Sequence, residues 1–190
     1  MLFATLKEQI NWALTPFPNG ITYKLKKTDN ESCNSLRNAA NIKEKKWGNN
    51  IIGQRNNGNW TTLLGENLVY EVLKLNGENP RKPKKINGYY PDWETDTNIY
   101  EVKTRNWTTN GTAGEKVFGV MYKYSDIPIL YEKPLKIVCV AYQEYELTHG
   151  NTKIFGDDIS DNKKAYLDLA RRQKIEYIKF SDLVSNINYE

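Results

Sequence analysis

Histidine is almost missing from this chain. His149 is the only one among 190 residues, and it falls in Leu147–Asn151, which reads as a turn, so chemistry that needs a committed imidazole has little to work with. Cysteine is nearly as scarce: Cys33 and Cys139 form neither a zinc spacing nor a disulfide framework. Cys139 sits inside Ile137-Val138-Cys139-Val140, where it reads as a small buried hydrophobe, and two unpaired thiols suit a reducing compartment. Long apolar runs are missing too. The longest, Ile137 to Tyr142, falls far short of the ~20 residues of a membrane-spanning helix. Lys7 and Glu8 interrupt the apolar pattern of the N-terminus, which argues against a signal peptide. The expectation is a soluble, cytoplasmic protein folded as one domain.

Charge is modest overall, +4, but unevenly spread: residues 1–59 hold nine Lys and Arg against four Asp and Glu, and the remainder is close to neutral. A basic segment beside a near-neutral core suits phosphate contacts or plain solubility equally well.

What is present is concentrated in Pro91-Asp92-Trp93-Glu94-Thr95-Asp96-Thr97-Asn98-Ile99-Tyr100-Glu101-Val102-Lys103-Thr104. Ile99 to Thr104 has the β-branched and aromatic content of a strand. Alternation puts Glu101 and Lys103 on one face, with Tyr100 and Val102 on the other. Thr95 to Asn98 is turn chemistry, and a chain folding back there brings Asp92 toward Glu101. Two carboxylates and an ammonium then converge. Such oxygens suit Mg²⁺, which keeps several waters and shares its remaining positions with substrate phosphate. A metal held there lowers the pKa of a bound water and neutralises charge on a phosphoryl group, and Lys103 is placed to orient that water. A calcium loop is excluded, because Thr97 and Lys103 stand where an EF-hand needs Gly and Glu. A second Glu-X-Lys, Glu44-Lys45-Lys46 after Asp29, lies in a polar, helical stretch without strand character and is set aside.

These residues resemble the PD-(D/E)XK nuclease superfamily, and within it small type II restriction endonucleases. The resemblance covers residues 60 to 180, and its motif is short and degenerate. It implies an α/β fold with a central mixed β-sheet flanked by helices, built on an αβββαβ core. It further implies Mg²⁺ bound by Asp92 and Glu101, a water-assisting role for Lys103, and an added carboxylate from the preceding helix. Glu66 and Glu71 border the apolar face of that helix, so periodicity cannot choose between them; the resemblance favours Glu66. The implied substrate is double-stranded DNA, cut by a homodimer whose symmetry matches a palindrome. A carboxylate-and-lysine site also does without histidine, unlike ββα-metal, phospholipase-D-type and cyclising nucleases. Rival readings are a structure-selective nuclease, such as a junction resolvase or repair nickase, and a non-catalytic DNA-binding module. A glycosidase fits poorly, since paired carboxylates alone would serve it.

The remaining elements follow from pattern. Leu2, Leu6, Ile10, Ala13 and Leu14 recur at helical spacing up to Pro16 and Pro18. Ile21 to Lys27 reads as a strand. Residues 28–59 read as an Asn-rich, weakly periodic, solvated region, and residues 1–59 together are a candidate for recognition or dimerisation. Leu64, Leu68, Val69, Val72, Leu73 and Leu75 form the apolar face of a helix over Thr62–Asn76, stopped by Gly77. Lys82, Lys84 and Lys85, with Arg81, precede a strand at Ile86–Tyr90 and are candidates for holding a DNA backbone. Arg105, Asn106 and Trp107, on the loop leaving the catalytic strand, are candidates for substrate contact, with Lys116 as a lesser one. Thr112 to Glu115 matches a capping box, ahead of a helix turning Val117, Val120, Met121 and Tyr124 inward. Leu135–Tyr142 reads as a strand covered on both faces. Asp157-Asp158 and Ser160 read as a turn and cap, followed by helix 161–173, a strand at Ile175–Phe180 and a short helix.

Overall fold

The computed structural model describes residues 2–15, 31–53, 58–108, 116–185 and 187. Its centre is a four-stranded mixed sheet in the order β1 (Trp93–Glu94), β2 (Ile99–Arg105), β3 (Leu135–Ala141), β4 (Ile175–Lys179). β1 runs antiparallel to β2, with Trp93 opposite Tyr100 and Glu94 opposite Ile99. β2, β3 and β4 are parallel, as their β-branched, doubly covered sequences require. β3 is the most apolar, with every residue but Lys136 buried.

Helices cover both faces. On one, α1 (Leu2–Leu14), α3 (Trp60–Leu75) and α8 (Phe180–Val184) bury Ile10, Leu68, Val72 and Val184 against Tyr100, Val102, Val138 and Val140. On the other, α4 (Phe118–Lys123), α5 (Ile127–Leu130), α6 (Tyr142–His149) and α7 (Asp161–Arg172) set Val120, Ile127, Leu147 and Ala170 against Ile99, Ile137, Cys139 and Ile175. Alternation along β2 therefore directs Glu101 and Lys103 toward this second face, with Ile99.

Several expectations are corrected. Within residues 28–59, where no regular element was expected beyond the stretch around Glu44, Glu31–Ile51 forms the long helix α2. It docks on α3, where Gly48 admits the Trp60 indole: a Cβ at Gly48 would lie 2.0 Å from that ring. α1 likewise belongs to the core, with Ile10 fully buried. Ile86–Tyr90 is a tight turn rather than a strand. Asn87 and Gly88 both take positive φ, 50° and 86°, the signature of a type I′ hairpin turn, closed by one bridge between Ile86 and Tyr89. The αβββαβ order thus loses that strand, while the mixed sheet flanked by helices stands. The turn expected over Leu147–Asn151 is shifted: α6 runs through His149 and the chain turns at 150–152, while Leu75 is exposed. The strand expected at 21–27 and the capping box at 112–115 lie outside the described residues. Among the described residues no helix is long and apolar enough to cross a membrane.

Candidate active site

Because β1 contains only two residues, β2 is paired on that side only at Ile99 and Tyr100. From Glu101 onward that edge carries no partner strand among the described residues. Asp92 occupies the place where the ladder stops. Its N–H donates to the Tyr100 carbonyl (3.1 Å), and its Oδ2 accepts the Val102 N–H at 2.7 Å. The carboxylate stands in for a strand carbonyl and is fixed over the open edge. Glu101 is 4% exposed. Its Oε1 accepts from Lys103 Nζ at 2.5 Å, while its Oε2 is buried without a hydrogen-bond partner among the described residues.

α3 brings in the third carboxylate. Trp93 Nε1 donates to the Glu66 carbonyl oxygen (2.9 Å), and its ring packs 4.8 Å from Tyr70. Gly65 permits the approach, since a Cβ there would lie 1.7 Å from Thr104 Oγ1. Lys82 closes the group: its Nζ is 3.6 Å from Glu66 Oε2, 3.0 Å from the Asp92 carbonyl oxygen and 3.9 Å from the Trp93 ring centroid.

Burial sets the electrostatics. The Glu101 carboxyl is pushed up to about 7, first by burial and then by the Asp92 charge, with Lys103 opposing. Burial also raises Asp92, against the Val102 N–H, Lys103 and Lys82. Glu66 is raised by burial and then by Asp92, with Lys82 opposing. Tyr124 lies beside the cluster; burial and then Glu101 raise its hydroxyl.

These shifts have a definite sign in the metal-free protein. A carboxyl whose pKa rises from 4.5 in the unfolded chain to about 7 in the fold favours folding below pH 4.5 and loses that advantage as pH climbs through 7. Glu101→Gln should therefore match the wild type near pH 4.5 and exceed it at pH 8.5. The expected gain is on the order of 3 kcal/mol, or roughly 5–10 °C in the melting midpoint. Melting curves of both proteins in chelator across that range check this, and parallel curves would remove Glu101 as the strained group.

The structure separates the other candidates. Glu71 pairs with Lys74 at 3.6 Å on the surface, so Glu66 is the helix carboxylate that meets Asp92. Glu94 and Asp96 are engaged by Arg81, at 3.2 and 2.8 Å. Lys84, Lys85 and Lys116 are exposed. Lys82, expected on a DNA-facing run, instead belongs to the acid cluster.

Arg105, Asn106 and Trp107, expected on an exposed loop, are interior, at 5, 5 and 2% exposure. Arg105 ends β2, ion-pairs with Glu146 and lies 5.1 Å from the Tyr142 ring centroid. Asn106 Nδ2 donates to Glu44 Oε2 at 2.8 Å. Glu44, the acid of the discarded Glu-X-Lys, is itself buried and also accepts from Trp12 Nε1 at 2.7 Å. α2 covers what the sequence presented as an exposed loop. Tyr124 was foreseen as an inward residue but not as a neighbour of Glu101. Its helical spacing carried the first fact, and nothing local carried the second.

No protein-family model, curated protein or solved structure matches the chain. The chemistry of the site's own residues must carry the functional argument. Among the described residues no three acid, histidine or cysteine side chains are gathered into a ready-made metal cage. Mg²⁺ demands less, since one or two carboxylates suffice when water and substrate phosphate complete its shell. The unpartnered Glu101 Oε2 and the nearby Asp92 carboxylate fit that requirement, as a hard, all-oxygen donor pair.

Proposed function

We propose that the protein is a Mg²⁺-dependent endonuclease acting on double-stranded DNA, of the type II restriction kind. The observation that carries this reading is the convergence of Asp92, Glu101 and Lys103 at the open edge of β2, with a buried carboxylate oxygen of Glu101 unpartnered. Asp92 and Glu101 would hold the metal, with Glu66 beside them. Bound there, Mg²⁺ supplies a water of lowered pKa and charge neutralisation at the phosphoryl group. Lys103 opposes protonation of Glu101 and presents an ammonium to a water or phosphate oxygen at the same face. Lys82 restrains Glu66 and offsets the mutual repulsion of the acids. The DNA-facing role foreseen for Lys84 and Lys85 is kept as part of this proposal, together with a homodimer that matches a palindromic site.

The test is a digest of a long, unmethylated duplex with Mg²⁺. Discrete fragments are expected, and their mapped ends give the site. Replacing Mg²⁺ with Ca²⁺ should preserve binding and stop cleavage, because Ca²⁺ relaxes the tight octahedral geometry that Mg²⁺ imposes. Efficient cutting in Ca²⁺ would contradict the proposed metal site. An intact duplex, with cleavage only of branched DNA, would replace the restriction reading by a structure-selective one. No cleavage of any DNA would leave a binding module.

A further inference from the structure

A cleft of about 480 Å³ begins at Lys103 and continues along β2 to Arg105. Thr61 and Thr62, in the first turn of α3, line it, as do Lys116 ahead of α4 and Gln143 from α6. Among the described residues no carboxylate lines it. α3 carries no acidic residue in its first turn, and the Asn59 side chain makes no cap hydrogen bond to it. The positive end of a 16-residue helix therefore adjoins the cleft, with no acidic side chain of its own first turn to offset it.

Gln143 is the independent observation. It is 3% exposed, and its Nε2 has no hydrogen-bond partner among the described residues. Buried amide donors are nearly always paired. An unpartnered one, in a cleft whose polar lining is lysine, arginine and threonine beside Val117 and Val120, asks for an acceptor that arrives with a ligand.

We infer that this cleft is an anion subsite that holds a phosphate of the cleaved strand next to the scissile one. The inference rests on the nuclease reading of Asp92, Glu101 and Lys103. Lys103 to Arg105 spans about 7 Å at ~3.3 Å per residue, and successive phosphates of one strand advance about 3.4 Å along the duplex axis. A strand with its scissile phosphate at Glu101 and Lys103 thus reaches the cleft within one or two nucleotides. Lys116 supplies charge, the first turn of α3 supplies N–H and hydroxyl donors, and Gln143 supplies the buried donor. The subsite fixes the register of the strand rather than taking part in the chemistry.

The experiment uses full-length protein and two probes. Inorganic phosphate is first titrated into the wild type, Lys116→Ala and Gln143→Leu, and followed by amide NMR. Lys116 is exposed, so its variant folds even if the core substitution does not. The Thr61 and Thr62 amides and the Gln143 side-chain amide of the wild type should shift together along one saturating curve, weakened in both variants. In the second arm, a duplex carries one neutral methylphosphonate at successive positions near the cut. Cleavage should fall at one neighbouring position, and Lys116→Ala should lower the slope of log affinity against log salt by about one. Cleavage of DNA with unmoved resonances and no sensitive neighbouring phosphate would overturn the subsite and leave the nuclease reading intact. Saturable phosphate shifts in a protein that neither binds nor cuts DNA would support an anion site and sink the nuclease reading. Shifts identical in all three proteins would mean the anion sits elsewhere, and the inference fails.

Discussion

Lys103→Ala is expected to lose cleavage by about a thousandfold or more, with duplex binding in Ca²⁺ within a few fold of wild type. Two effects add. The substitution deletes an ammonium that would meet charge developing in the transition state, a kind of contact worth about 10²–10³ in rate. It also removes the main cation opposing protonation of Glu101, whose carboxyl already sits at about 7. Without Lys103, Glu101 is more often neutral at working pH and a poorer metal ligand. The fold should survive, because the Lys103 side chain is 32% exposed and, among the described residues, its ion pair is with Glu101 Oε1 at 2.5 Å. Lys82→Ala is the matched control. It removes the same charge from the Glu66 side of the cluster, at 3.6 Å, and should cost about tenfold. Single-turnover cleavage beside gel-shift binding in Ca²⁺ measures both variants. Normal turnover by Lys103→Ala would remove the proposed site.

The second large effect is expected from a residue that carries no functional group. Gly65→Ala places a methyl 1.7 Å from Thr104 Oγ1 and 2.6 Å from Thr104 Cβ. Rotation of the threonine can relieve the first clash but not the second, so α3 must move off β2. That shift loosens Leu64 and Leu68, both fully buried. Overpacking of this kind costs about 1–3 kcal/mol, partly offset by the better helix propensity of alanine, about 1 kcal/mol. The melting midpoint should fall by a few degrees. Activity should fall much further, about a hundredfold, because Glu66 is the next residue on the displaced helix and misplacement of about 1 Å costs that much. The assay must run well below the midpoint. Gly119→Ala is the control: nothing lies within 4 Å of its added methyl, so it should be neutral or slightly stabilising. If Gly65→Ala retained full activity, the α3–β2 contact would not be what positions the acids.

How much of this was legible beforehand depended on the range of the interactions involved. The hairpin was readable because its parts are neighbours. Thr95 and Asn98 close the turn through their own backbone and hydroxyl groups, with Thr95 N–H donating to the Asn98 carbonyl at 2.9 Å. The helix at Trp60–Leu75 was readable from the period of its apolar face and from Gly77 at its end, which takes φ +80°. α2 was harder to see. Its sequence is polar, and its buried positions, including Ala40, Gly48 and Asn49, carry little hydrophobic signal. What holds it is Trp60 against Gly48 and Glu44 against Trp12 and Asn106, and both are contacts to distant parts of the chain. The same contacts turned Arg105, Asn106 and Trp107 inward, against the expectation of an exposed loop.

The sequence by itself determined the local geometry: Glu101 and Lys103 on one face of a strand, Asp92 upstream of a turn, and a β3 apolar enough to be covered on both faces. Those features follow from the two-residue period of a strand and from turn chemistry, which act over a few residues. Only the tertiary structure decided between Glu66 and Glu71, turned Lys82 into a member of the acid cluster and set Tyr124 beside Glu101. It also left Glu101 Oε2 and Gln143 Nε2 buried and unpartnered among the described residues. Each of those outcomes depends on which surface covers which, and in one case on a single missing methyl where Gly65 meets Thr104. A periodic pattern says that a face is buried; the partner that buries it is selected by close packing between segments far apart in the chain.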